Sequence, residues 1–207
     1  MLTAWAVYTG DKYAPRYLWA LVDAYRRHLG PHRFRVISDR AIPGLEVVPA
    51  DPDLPGWWQK TRLFAPGIAE PGSVNLYVDL DSVIVDDLTP MLEQHAGDLL
   101  AMPRNWARSG HGGCQSSVMV WRGGAYPQIA TELTAEHRRR LWGDQEWITE
   151  LVGTAHVAPI AHPQVVSYKY HCRGLPAPPP GARVVTFHGK PDPHECLEEA
   201  AWIAMHW

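Results

Sequence analysis

The stretch Asn75-Leu76-Tyr77-Val78-Asp79-Leu80-Asp81-Ser82-Val83-Ile84-Val85 decides how the chain is read. An apolar run delivers two aspartates one residue apart, and a second apolar run leaves them. Extended backbone puts residues i and i+2 on one side, so Asp79 and Asp81 face the same way. Two carboxylates converging at a strand end make a seat for a hard divalent cation, Mn2+ or Mg2+. Asp-x-Asp is a common tripeptide, and a polar strand-to-turn transition produces it too. The apolar approach and the apolar exit are what favour the metal reading.

Upstream, residues 4–9 read as a short apolar strand ending in Gly10-Asp11-Lys12. Pro15 opens a helix whose Leu18, Leu21, Val22, Tyr25 and Leu29 have helical spacing, and Gly30-Pro31 stops it. Residues 34–37 form a second strand closed by Ser38-Asp39. Strand, helix, strand is the start of an α/β fold with parallel strands. Such sheets bind ligands beyond the carboxyl ends of their strands, and Tyr8, Thr9, Asp11 and Asp39 occupy those ends. Residues 45–48 suggest a third strand, and 56–64 a short helix with Leu63 and Phe64 inward and Lys60 and Arg62 available to a site.

Downstream, Thr89-Pro90 has the cap and first-position signature of a helix. Strands are expected at 98–102 and 116–121, the second ended by Gly123-Gly124, with a mobile Gly/Ser/His/Arg-rich loop at 104–114 between them. Residues 125–141 read as one helix with Arg138-Arg139-Arg140 near its end, and Asp144 as the cap of another running through Trp147, Ile148 and Leu151. Further strands fit 156–160, 165–168 and 183–187, and Pro193 starts a terminal helix. The four prolines of 175–181 make a stiff connector, not a domain linker.

At 207 residues one compact domain is expected, and 46% hydrophobic residues argue against disorder. A formal charge of -3 gives no global pull toward nucleic acid or an anionic membrane. Three scattered cysteines form no metal knuckle or disulfide framework, which suits a reducing compartment. The N-terminus reads as a first strand, not a signal peptide, and no apolar run is long enough for a membrane span, so a cytoplasmic protein is expected. Ten tryptophans stand against three phenylalanines, several beside polar motifs where sugar rings or bases could stack.

The metal reading gains weight from His188-Gly189-Lys190-Pro191, which follows the last strand. An imidazole added to two carboxylates fits Mn2+; Gly189 allows close approach of backbone to a ligand, and Lys190 is a point charge suited to phosphate. Together they suit a nucleotide diphosphate.

Val78-Asp79-Leu80-Asp81 resembles the Asp-x-Asp motif of the GT-A nucleotide-sugar glycosyltransferases. Phe187-His188-Gly189-Lys190-Pro191 resembles the C-terminal element of their glycogenin-like family 8 group. Between them, Gln115-Ser116-Ser117-Val118-Met119-Val120 resembles that group's Asn-Ser-Gly-Val-Met strand, and Trp142-Gly143-Asp144-Gln145 its Asp-Gln motif. The order is the family's, and the match covers most of the chain. Gln115-Ser116-Ser117 departs from the family pattern, and the chain is short for the group.

The resemblance implies a single GT-A, Rossmann-like α/β domain over 1–207, with a mixed, mostly parallel central sheet flanked by helices. Residues 1–87 would be its nucleotide-binding part, and 88–207 the acceptor-binding part with the metal and diphosphate element. Asp79, Asp81 and His188 would hold Mn2+. Lys190 and Gly189 would contact the diphosphate, and Tyr8, Thr9, Asp11 and Asp39 would line the nucleotide pocket. Lys60 or Arg62 would pair with Asp79 or touch the donor sugar, with Gln115 and Ser116 beside it. Asp144 and Gln145 would flank the donor sugar and its anomeric carbon. The implied activity is metal-dependent transfer, with retention, from a UDP-sugar to an unidentified acceptor hydroxyl. Two rivals stand beside it. One is a haloacid-dehalogenase-like phosphatase with Asp79 as nucleophile and Asp81 as acid/base, although that motif normally opens its domain. The other is a non-catalytic nucleotide- or carbohydrate-binding module.

Overall fold

The computed structural model describes residues 1–106 and 113–207. The expected loop at 104–114 therefore falls largely outside the described residues. Its described ends are pinned: Arg104 bridges to Cys114, and the Asn105 amide donates to the Gly113 carbonyl at 2.9 Å.

The elements run β1 (Leu2–Tyr8), α1 (Pro15–His28), β2 (Arg33–Ser38), β3 (Glu46–Pro49), a 3-10 segment (Gly56–Phe64), β4 (Val74–Val78) and β5 (Ser82–Ile84). They continue with α2 (Thr89–His95), β6 (Leu100–Pro103), β7 (Val118–Arg122), α3 (Gln128–Thr131), α4 (Ala135–Arg140) and α5 (Asp144–Val152). β8 (Ala158–Ile160), β9 (Val165–Ser167), β10 (Val184–Thr186) and α6 (Ala201–His206) complete them.

Seven strands form one sheet in the order β3-β2-β1-β4-β7-β6-β8. β7 is antiparallel to both neighbours, and every other pairing in that sheet is parallel. The mixed, mostly parallel sheet flanked by helices is thus as expected. β1 lies near its middle, and its apolar sequence suits a strand buried on both faces. Its alternation sorts the core. Ala4 and Ala6 pack with Leu18, Leu21 and Val22 of α1, while Trp5 packs on the other face with the cluster that holds Leu63, Phe64, Trp147 and Ile148. Small residues under α1 let the helix lie close to the sheet.

β5, β10 and β9 make a second, three-stranded sheet. β5 and β10 run antiparallel, with Ser82 opposite Thr186. Its apolar face packs Val83, Val166, Val185 and Phe187 against Tyr168, Trp202 and Ile203. No helix among the described residues is long and apolar enough to cross a membrane. All three cysteines are buried thiols.

Several expected boundaries shift. The helix read at 125–141 is two, α3 and α4, because Thr134 takes an extended backbone and accepts the amide of His137 in a capping box. Asp144 is not a cap: Gly143 holds that position with no side-chain bond, and Asp144 points inward from the first turn. Thr89 likewise begins α2 after Leu88 as cap. Pro193 starts only a single 3-10 turn, and the terminal helix begins at Ala201.

Candidate active site

A cavity of about 460 Å³ opens at the carboxyl ends of β1 and β4. Thr9, Lys12 and Tyr13 follow β1, and Asp79, Leu80 and Asp81 follow β4. Gln115 and Ser116 precede β7, Trp57 and Lys60 come from the 3-10 segment, and 142–146 lead into α5. Phe187, His188 and Gly189 close it from the end of β10. Crevices at this end of a parallel sheet are where α/β folds place their ligands.

Lys60 is the hub. Its ammonium is buried and lies 3.1 Å from Asp79 Oδ1 and 3.4 Å from Asp144 Oδ2, and it donates to Ser116 Oγ at 3.1 Å. Burial works against its charge, but the carboxylates of Asp144 and Asp79 outweigh that, and its pKa lies above the ordinary lysine range. The Tyr77 hydroxyl donates to Asp79 Oδ1 at 2.6 Å, and the Tyr13 hydroxyl to Asp81 Oδ2 at 2.5 Å. Both phenols are pushed up, first by burial and then by the aspartates they face.

The carboxylates outnumber the cations. Burial and then the charge of Asp79 push the Asp81 carboxyl up to about 6. Burial raises Asp144 as well, against the pull of Lys60. An under-neutralised pair of oxygen ligands is what a divalent cation stabilises, so Asp79 and Asp81 fit that role. His188 sits on the same cavity wall but is engaged elsewhere. Its Nε2 lies 2.7 Å from Ser167 Oγ and accepts from the Trp106 indole N–H at 3.3 Å. Burial lowers its pKa, helped by Lys169, so the imidazole favours the neutral, ligating form. Among the described residues no three His, Cys, Asp or Glu side chains gather closely enough to hold an ion.

The structure thus brings together Thr9, Lys60, Asp79, Asp81, Gln115, Ser116, Asp144, Gln145, His188 and Gly189 of the residues read from sequence. Five others lie elsewhere. Lys190 is exposed and bonds Asp192 at 2.8 Å and Glu195 at 2.9 Å, because those carboxylates share its own turn. Arg62 donates to the Pro49 carbonyl at 2.7 Å, away from the cavity. Tyr8 is buried in the core beside α1. Asp39 accepts the Gly10 amide at 2.7 Å and Arg40 spans it and Asp11, so both tie the ends of β1 and β2 instead of lining the wall.

Sequence reading missed Lys12, Tyr13, Trp57, Trp142 and Glu146, which all line the cavity. Lys12 and Tyr13 were findable, since they continue the same strand-end loop as Thr9. The tryptophans were signalled by their number and, for Trp142, by its place beside Asp144-Gln145.

No protein-family model matches the sequence, and no curated protein gives a significant match. Solved structures do. The galactosyltransferase LgtC, in complex with donor and acceptor sugar analogues, superposes with a TM-score of 0.70 at 16% identity over 100% of this chain and 96% of that one. Glycosyltransferase GlyE of Streptococcus pneumoniae TIGR4 gives 0.68 at 16% identity over 93% of this chain. This chain spans only 56% of GlyE. The bifunctional glycosyltransferase WbbM gives 0.61 at 14% identity, over 93% of this chain and 46% of that one. At such identities the likeness speaks for architecture: the chain has the fold of the GT-A glycosyltransferases.

Proposed function

We propose that the chain is a glycosyltransferase that moves a sugar from a nucleotide diphosphate sugar, UDP-linked, to an acceptor hydroxyl, with Mn2+ as cofactor and retention of anomeric configuration. The observation that carries this reading is the cluster of Asp79, Asp81 and Asp144 around the single buried ammonium of Lys60, at the strand ends of this fold.

Asp79 and Asp81 would hold the cation, and His188 would join them as a third protein ligand only by leaving Ser167 and Trp106. Bound there, the cation supplies Lewis-acid stabilisation of a diphosphate leaving group. Lys12, not Lys190, is the lysine at the cavity mouth, and its exposed ammonium suits phosphate oxygens. Lys60 holds Asp79 and Asp144 in fixed positions, so neither carboxylate must reorganise when substrate arrives. Asp144, directed into the cavity, accepts hydroxyls of the donor sugar. The Gln145 amide nitrogen donates to Glu146 Oε1 at 2.8 Å, which leaves its amide oxygen to face positive charge developing at the anomeric carbon. Asp144 is engaged by Lys60, so we assign the attack to the acceptor hydroxyl on the leaving-group face: its oxygen bonds the anomeric carbon as the bond to the diphosphate breaks, and its proton passes to the leaving phosphate, which preserves configuration.

The phosphatase reading is the weaker one. It needs its nucleophile after the first strand, whereas β1, β2 and β3 precede Asp79 and all lie in the same sheet. Thermal melting with a panel of nucleotides, with and without Mn2+, tests the proposal. Mn2+ plus UDP should raise the melting temperature, and Asp81→Ala should abolish the rise. No metal-dependent shift with any nucleotide would sink the reading, and slow Mn2+-dependent hydrolysis of a UDP-sugar would exclude a binding module.

A further inference from the structure

The unused feature of the cavity is its aromatic mouth. Trp57 and Trp142 are 53% and 78% exposed, and both line the cavity. Among the described residues, no other exposed large hydrophobic side chain does. An indole left open to water at the mouth of a polar pocket forgoes burial that the fold could have used, which marks a contact surface.

Trp57 is seated by Gly143, the residue that follows Trp142 in the chain. A Cβ at that position would lie 3.0 Å from Trp57 Nε1 and 3.5 Å from Glu146 Oε2. The missing side chain lets the Trp57 indole lie against the start of α5, near the Glu146 carboxylate. Gln145 and Glu146 follow immediately, and both line the same cavity. Apolar faces thus alternate with hydroxyl-accepting groups over a few residues.

We infer that Trp57 and Trp142, with Glu146, form an acceptor subsite for a pyranoside. A pyranose has one face of C–H bonds and a rim of hydroxyls. Indole faces cover the first, and a carboxylate accepts from the second. The subsite also stands beside Asp144, so a sugar hydroxyl held there lies next to the donor position. This inference deepens the transferase reading and rests on it.

Saturation-transfer NMR with methyl β-glucoside, methyl β-galactoside and methyl β-N-acetylglucosaminide tests it on the whole chain. At least one glycoside should bind the wild type, with transfer strongest to its ring C–H protons. Trp142→Ala and Trp57→Ala should each weaken that binding roughly tenfold, the scale of one aromatic contact, and Trp142→Phe should restore most of it. Melting curves identify any variant that fails to fold, and Gly143→Ala, which displaces Trp57 without removing a ring, supplies an independent weakening. No glycoside binding by the wild type, or binding unmoved in folded Trp57→Ala and Trp142→Ala, would overturn the subsite. The wild-type shift with Mn2+ and UDP is measured separately. Its absence sinks the donor reading, and its presence without glycoside sensitivity to the tryptophans sinks this one.

Discussion

Asp81 shows how a residue of the candidate site can work against its own fold. Its carboxyl is almost fully buried beside Asp79, and burial with that charge raises its pKa from the ordinary 3.8 to about 6. The folded chain therefore keeps this proton longer than the unfolded chain does. The resulting penalty is absent below about pH 4, grows as pH rises toward about 6, and stays constant above it. Asp81→Asn should stabilise the metal-free protein by about 1–2 kcal/mol at pH 7.5, a rise of roughly 2–8 °C in melting temperature, while removing the proposed Mn2+ binding. The gain over wild type should vanish near pH 4. A destabilised Asp81→Asn protein at pH 7.5 would contradict this charge account. The aspartate pair was legible in sequence because period-2 backbone dictates where alternate side chains go. Lys190 was misplaced for an equally local reason: Asp192 and Glu195 were within reach of a lysine two and five residues away, and short-range pairing prevailed over a distant phosphate site.

At the scale of elements, β4 is held by a polar residue in an apolar place. Asn75 is fully buried, accepts from Trp5 Nε1 at 2.9 Å, and donates to the Ser73 carbonyl at 3.1 Å and the Trp121 carbonyl at 3.4 Å. One amide thus joins β1, β4 and β7, and it fixes the level at which Asp79 emerges. Asn75→Ala should cost about 2–4 kcal/mol, since it opens a void and leaves the Trp5 indole N–H unpaired. Urea unfolding should show a lower midpoint with unchanged slope; an unchanged midpoint would remove Asn75 from this role. Elements with long apolar periodicity, such as β1 and α1, were legible. The break between α3 and α4 was not, because it turns on Thr134 and His137 closing a cap, a choice that propensity alone leaves open. Gly123 was read as a strand stop, and the structure gives a firmer reason: a Cβ there would lie 1.9 Å from the Glu70 carbonyl oxygen.

At the scale of the molecule, the site exists because two sheets meet. The chain leaves β4, passes through Asp79 and Asp81, and enters β5 of the second sheet. Antiparallel pairing of β5 with β10 then returns Phe187 and His188 to the residues just before Ser82. Sequence pattern supplied most of the strands, but it did not separate β5 from β4 and held no information on which distant strand would pair with it. Phe187 is the structural key to that return, buried and stacked on Tyr168 with ring centroids 4.5 Å apart. Phe187→Ala should cost about 3–5 kcal/mol and should weaken the Mn2+-dependent nucleotide shift, although the residue bears no ligating atom. A shift of wild-type size in a folded Phe187→Ala protein would show that the second sheet does not position the cavity wall.

The pairing of β5 with β10 also sets an order of events during synthesis. Val184 is opposite Ile84, so a strand must wait for a partner made one hundred residues later (184 − 84). Chains fold from the N-terminus as they emerge, so the pocket floor with its paired aspartates can form well before the wall that carries His188. A nascent chain ending short of Val184 has an acidic hollow without that wall, and the growing polypeptide completes the cavity only once β10 has been made.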